Sequence, residues 1–165
     1  MRVLDQQDGV WILRQSPYIK KIHPLTVPPQ RSEDSPVSAK EISSLRGLGG
    51  LQWPSTQTCP HMSASISLLC GETSKATIGT LRQANKTLKF AKENSDVSLT
   101  FPKLCKPEDA VMIAMSDASW GVRKDLQSQG GYLVLLSHPK VLRGEESEYI
   151  ILDWRSYRLP RVIRF

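Results

Sequence analysis

The chain has 165 residues, with 22 Lys and Arg against 16 Asp and Glu, a formal net charge of +6 and a pI near 9.4. That length holds one ordinary domain or two small ones, and the basic balance favours anionic partners such as nucleic acid without selecting a fold. No apolar stretch approaches the ~20 residues that span a bilayer, and three irregularly spaced cysteines (Cys59, Cys70, Cys105) argue against a disulfide framework, so the expectation is an intracellular chain, cytoplasmic or nuclear, with no membrane partner.

In chain order, Val3-Leu4 and Val10-Trp11-Ile12-Leu13 flank Asp8-Gly9, a hairpin signal, because both residues tolerate the positive φ that a tight turn needs. Pro24, Pro28, Pro29 and Pro36 among polar residues predict a linker or extended surface loop over 24–36. A helix follows, with Ser38 as cap, Glu41 completing the capping box and Val37 with Ile42 as a hydrophobic staple. Gly47, Gly49 and Gly50 either end this helix or admit a close neighbour, and Trp53-Pro54 is expected to break the chain. Pro60 suits the first position of the next helix, with Ile66, Leu68 and Leu69 inside it and Gly71 as its stop.

The longest predicted helix runs from about Lys75 to Asn94. Its apolar stripe is Ile78, Leu81, Ala84, Leu88 and Ala91, and Lys75, Arg82, Lys86 and Lys89 gather on a face away from it. That face is a candidate nucleic-acid surface, although an ordinary solvated face is the commoner reason for such a pattern. Val97 to Phe101 alternates as a half-buried strand, and the polar break at 102–109 marks a boundary between parts spanning 1–104 and 105–165. Three strands are then expected near 110–117, 130–137 and 148–154, in an antiparallel meander. The fold class is therefore α+β.

Chemistry concentrates at Asp117. It shares strand parity with Val111, Ile113 and Met115, so it is expected to project from a buried face, where an unpaired carboxylate is costly and a cation would relieve it. A strand-terminal Asp that turns the chain into Ala118-Ser119 is the alternative, and both stay open. Asp125, Glu145, Glu146 and Glu148 fall in connections, and Asp153 is not expected to join Asp117 as a ligand. The tail sets Arg155, Arg158, Arg161 and Arg164 three apart. A continuous strand cannot put these on one face, whereas turns at Ser156 and Pro160 would allow a phosphate-facing cluster, and a solvated surface explains the pattern equally. No nucleotide-binding loop, zinc-hydrolase motif or serine-nucleophile elbow is present.

Taken in order, these pieces resemble the late part of the polyprotein of copia-type long-terminal-repeat retrotransposons, where reverse transcriptase runs into ribonuclease H. Gly9-Val-Trp-Ile-Leu-Arg-Gln15-Ser-Pro-Tyr18-Ile19 is similar to a G-x-I-x-Q-x-x-Y-I segment. Leu45-Arg46-Gly-Leu-Gly-Gly50-Leu51-Gln-Trp53 resembles Y-R-x-x-V-G-x-L-x-Y, with Leu45 and Trp53 in place of tyrosines. Thr58-Cys-Pro60-His61-Met, leading to Ile66-Ser-Leu68-Leu69, is similar to T-x-P-D-I…V-x-L-L, with His61 where the family has Asp. Ala84-Asn-Lys86-Thr-Leu88-Lys89-Phe90-Ala-Lys92 resembles A-x-R-x-L-R-Y-L-K. The most specific set is Ser116-Asp117-Ala118-Ser119-Trp120, then Gly131-Tyr132, then Leu152-Asp-Trp154-Arg-Ser156, against S-D-A-D-W…S-G-Y…I-x-W-x-S.

The resemblance covers most of 9–165 and implies a hairpin and helical thumb- or connection-like segment followed by an incomplete ribonuclease H-like three-stranded sheet. It aligns Asp117 with the first catalytic, Mg²⁺-binding carboxylate of a nuclease that cuts RNA in RNA–DNA hybrids. The partner acids are expected beyond Phe165 and the polymerase acids upstream of Met1, so this chain alone is expected to be inactive. The implied partners are an RNA–DNA hybrid or other nucleic acid, through Lys75, Arg82, Lys86, Lys89, Arg155, Arg158 and Arg161, and the remainder of the polyprotein. A non-catalytic binding module and a translated relic are the other readings.

Overall fold

A computed structural model describes residues 2–121 and 127–159. Strands β1 (Val3–Gln7) and β2 (Val10–Arg14) form the expected hairpin, with Asp8 at φ 49° and Gly9 at φ 81° in its turn. The alternation after Val97 yields only a short strand, β3 (Leu99–Phe101), which pairs antiparallel with the other side of β2. Between β2 and β3 lies a helical body. It opens with α1 (Ser16–Lys20), a short helix absent from the sequence reading, carrying Pro17 in its first turn. The Ser16 hydroxyl donates to the Ser95 carbonyl at 2.7 Å, which ties this turn to the far end of the body.

Helix α2 (Ala39–Gly47) starts as its sequence dictates: the Ser38 amide donates to Glu41 Oε2 at 2.7 Å and the Glu41 amide to Ser38 Oγ at 3.3 Å. The glycines do not end the helical path. A 3₁₀ turn over Leu48–Leu51 passes directly into α3 (Gln52–Gln57). At Gly50 a Cβ would sit 2.8 Å from the Tyr18 hydroxyl, so close approach accounts for that glycine, whereas Gly47 and Gly49 have open space around them. Trp53-Pro54 does not break the chain either, because Pro54 falls in the first turn of α3, where the missing N–H has no helical partner to lose.

A 3₁₀ turn over Pro60–Met62 leads into α4 (Ser63–Glu72), which runs through Gly71 instead of stopping there. The long helix is shorter than its periodicity suggests. It is α5 (Ile78–Glu93), begun by a capping box between Thr77 and Thr80, and Lys75 lies in a separate 3₁₀ turn before it.

The proline-rich segment is strapped along α5 by hydrogen bonds to side chains far away in sequence. Asn85 donates to the Leu25 carbonyl and accepts from the Leu25 amide, both at 2.8 Å. Arg82 donates to Glu33 Oε1 at 3.0 Å and to the Arg31 carbonyl at 3.1 Å. The body's core is built on Ile19, Leu45, Leu48, Leu51, Met62, Ile66, Ile78, Leu81 and Leu88, each at most 4% exposed, with Leu69 and small residues between them, so the α5 stripe read from sequence does face inward.

Beyond Phe101 the chain forms a second three-stranded antiparallel sheet in the order β4 (Val111–Ser119), β5 (Gln129–Ser137), β6 (Tyr149–Arg158). The architecture is thus mixed α and β with two small antiparallel sheets. In the meander the register sets Asp117 opposite Gly131, and Gly131 opposite Ser156. A register shift between Val134 and Leu135 pairs these with Asp153 and Ile151, leaving Leu152 as the extra residue. Strand β6 continues through Ser156 to Arg158, so the turn at Ser156 that a phosphate-facing arginine cluster would need does not occur.

One face of the meander meets α3 and α4. Trp154 Nε1 donates to the Ser55 carbonyl at 2.7 Å, Gln129 Nε2 to Ser67 Oγ at 2.9 Å, and the Ser156 amide to Ser63 Oγ at 3.1 Å. Small side chains in Ser63-Ala-Ser-Ile-Ser67 allow this approach.

Candidate functional site

Asp117 lies near the end of β4, in one row with Gly131 and Ser156. Gly131 contributes no side chain to that row and Ala64 of α4 borders it, leaving a concavity of about 370 Å³ that Ser119 and Gln129 also line. Gln129 bridges the floor by donating to Ser156 Oγ at 2.8 Å as well as to Ser67. The strand parity of Asp117 with Val111 and Ile113 holds, but the expected burial does not: Val111 and Ile113 are half-buried, Met115 is 48% exposed, and Asp117 is exposed. The reason is its place in the sheet. Among the described residues β4 forms one edge of the sheet, and α4 packs over β6 at the opposite edge. An exposed carboxylate keeps its hydration, so burial supplies no demand for a cation.

Asp117 Oδ1 accepts the Ala118 amide at 2.7 Å, the geometry of an acid that organises the end of its own strand. Asp153 pairs in register with Val134 and so faces the other side of the sheet, where Tyr132 donates to its Oδ2 at 3.0 Å. That hydrogen bond, with the negative charge of Asp153, pushes the Tyr132 hydroxyl above its ordinary pKa. Magnesium requires several converging oxygen ligands. Among the described residues, the polar side chains that line the concavity with Asp117 are Ser116, Ser119, Gln129, Tyr132 and Ser156, all neutral, and no group of three His, Cys, Asp or Glu side chains converges. The described residues by themselves therefore do not supply the ligands of a stable Mg²⁺ site.

The cations expected to contact nucleic acid are scattered. Arg82 is half-buried and bound to Glu33 and to the Arg31 carbonyl, because the proline-rich strap lies across it. Lys86 and Lys89 are exposed on α5 beside the exposed ring of Phe90, with Lys89 Nζ 3.8 Å from Glu93. Lys75 is exposed in its turn ahead of the helix. Arg155 and Arg158 lie on opposite faces of β6, since they pair with Tyr132 and Gln129 respectively. Arg155 sits 5.8 Å from the centre of the Tyr157 ring, and Arg158 donates to Gln127. Arg161 lies outside the described residues, as does Asp125.

Sequence reasoning missed the polar seam of Gln129, Ser156, Ser63 and Ser67 beside the concavity. The serine-rich first half of α4 was its available signal. No family model matches the chain, and neither does any curated protein or solved structure.

Proposed function

We propose that the chain is a segment of a copia-type retrotransposon polyprotein, the end of reverse transcriptase joined to the start of ribonuclease H, and that alone it binds nucleic acid without cutting it. One observation carries the reading: an antiparallel meander with Asp117 near the end of its first strand, facing a concavity floored by Gly131 and Ser156. An RNA–DNA hybrid is the ligand class this implies, and Mg²⁺ the metal of the complete nuclease. Among the described residues Asp117 has only neutral polar neighbours, which supports a reading of binding without cleavage. Lys75, Lys86, Lys89 and Arg155, exposed cations in a chain of net charge +6, supply phosphate contacts.

The test is binding and cleavage of a labelled RNA–DNA hybrid by the full chain across a salt series with Mg²⁺. The expected result is affinity that falls steeply with salt, no cleavage, and binding unchanged in Asp117→Ala. Absence of binding at low salt would reject the reading, and so would Mg²⁺-dependent cleavage that Asp117→Ala abolishes.

A further inference from the structure

Helix α5 turns a polar side to solvent, and one large apolar residue stands on it. Phe90 is 46% exposed, beside the exposed Lys86 and Lys89. The three fall within about 100° of one another around the helix axis, and Lys86 lies one turn before Phe90. The ring has a fixed neighbour. His61, in the 3₁₀ turn that leads into α4, meets it edge to face, with ring centres 6.0 Å apart and planes inclined by 64°. Two other charged side chains share this sector. Arg82 is held by Glu33 and the Arg31 carbonyl. Glu93 pairs with Lys89 at 3.8 Å, but both side chains are exposed, so water screens the pair and an incoming anion competes with it. Lys86 has no ion-pair partner among the described residues.

We propose that Phe90, with Lys86 and Lys89 beside it, is a stacking site for an unpaired nucleotide: the base lies on the ring and the adjoining phosphates meet the ammonium groups. A single strand needs this combination, since every base has an apolar face and every linkage carries a negative charge. A base inside a duplex is already stacked on both faces and cannot reach the ring. The site therefore takes a part of the ligand that the paired region of a hybrid does not offer. A protein partner fits less well, because lysines are depleted at the cores of protein interfaces, where their charge would lose its water. A membrane surface would need a wider apolar stripe than one ring. The inference rests on the chain being a nucleic-acid binder, and it adds the strand form and the residues that meet it.

The test is fluorescence anisotropy on the full chain with three labelled probes: a blunt RNA–DNA hybrid, the same hybrid with a single-stranded overhang, and that overhang made of abasic nucleotides. Wild type is compared with Phe90→Ala, Phe90→Trp and Lys86→Gln, all at exposed positions where the fold does not depend on the side chain. The overhang is expected to tighten wild-type binding about tenfold, and the abasic overhang to add little. Phe90→Ala is expected to remove that gain with little change for the blunt probe, and Phe90→Trp to keep it. Lys86→Gln is expected to weaken binding of the overhang and to flatten its dependence on salt. A gain that survives Phe90→Ala, or that the abasic overhang reproduces, would mean attraction by charge alone and overturn the proposal. So would an overhang affinity unmoved by Lys86→Gln. Equal affinity for blunt and overhanging probes would overturn it while leaving the chain a hybrid binder, whereas no binding to any probe would reject both readings.

Discussion

The helical body and the meander differ in where they put their apolar side chains. The body encloses its own core, with Leu51, Ile78, Leu81, Ala84 and Ala91 at 1% exposure or less. Among the described residues of the meander, Leu135 at 9% is the buried large apolar residue, while Met112, Met115, Tyr149, Leu152 and Tyr157 stay exposed. A lone three-stranded sheet has two faces to cover, and the body covers part of one. The lesson is that the body is self-sufficient, whereas the meander relies on what it leans against.

The comparison can be tested most severely at the body's centre. Leu81→Ala should cost about 2–5 kcal/mol in urea unfolding, and a loss below 1 kcal/mol would mean that the body has no rigid core there. Next in size is the seam. Trp154→Phe removes the hydrogen bond to the Ser55 carbonyl and should cost about 1 kcal/mol. Amide exchange should speed up in β6 more than in α5, and equal acceleration in both would show the two parts unfolding as one unit.

A comparable effect is expected at the start of α2. Ser38→Ala should cost about 1 kcal/mol through loss of the cap. Hydrogen bonds from Ser38, then the Arg31 guanidinium, hold the Glu41 carboxyl below its ordinary pKa. The stability Glu41 contributes is therefore complete above the ordinary carboxylate range and is lost as pH falls through the lowered value. The difference between wild type and Glu41→Gln should vanish in acid, and a difference that persists there would show that charge is not its source.

The smallest effect is expected at Asp117→Asn, within about 0.5 kcal/mol, because the side chain is exposed. A large stabilisation by this variant would mean that the carboxylate is strained, and its surroundings less open than the meander's edge indicates.

Much of the local structure was legible in the residues. The Asp8-Gly9 turn, the Ser38–Glu41 capping box, the inward stripe of α5 and the meander strands are all decided by groups within a few positions of one another. Helix ends were less legible. Pro54 and Gly71 read as breakers, yet Pro54 falls where its missing N–H has no partner to lose, and α4 carries through Gly71 for one more residue. At the candidate site, parity placed Asp117 on the correct face, but its burial was misread.

Periodicity tells which side chains share a face, and chain-local chemistry tells how an element starts. Neither tells which neighbour arrives to cover that face. Arg82 sits among basic residues in the sequence but is engaged by Glu33, 49 positions away, once the proline-rich strap folds back. Trp154 finds its acceptor 99 positions away at Ser55. The exposure of Asp117 likewise follows from α4 lying over β6 and not β4, a choice made by packing between segments distant in the chain.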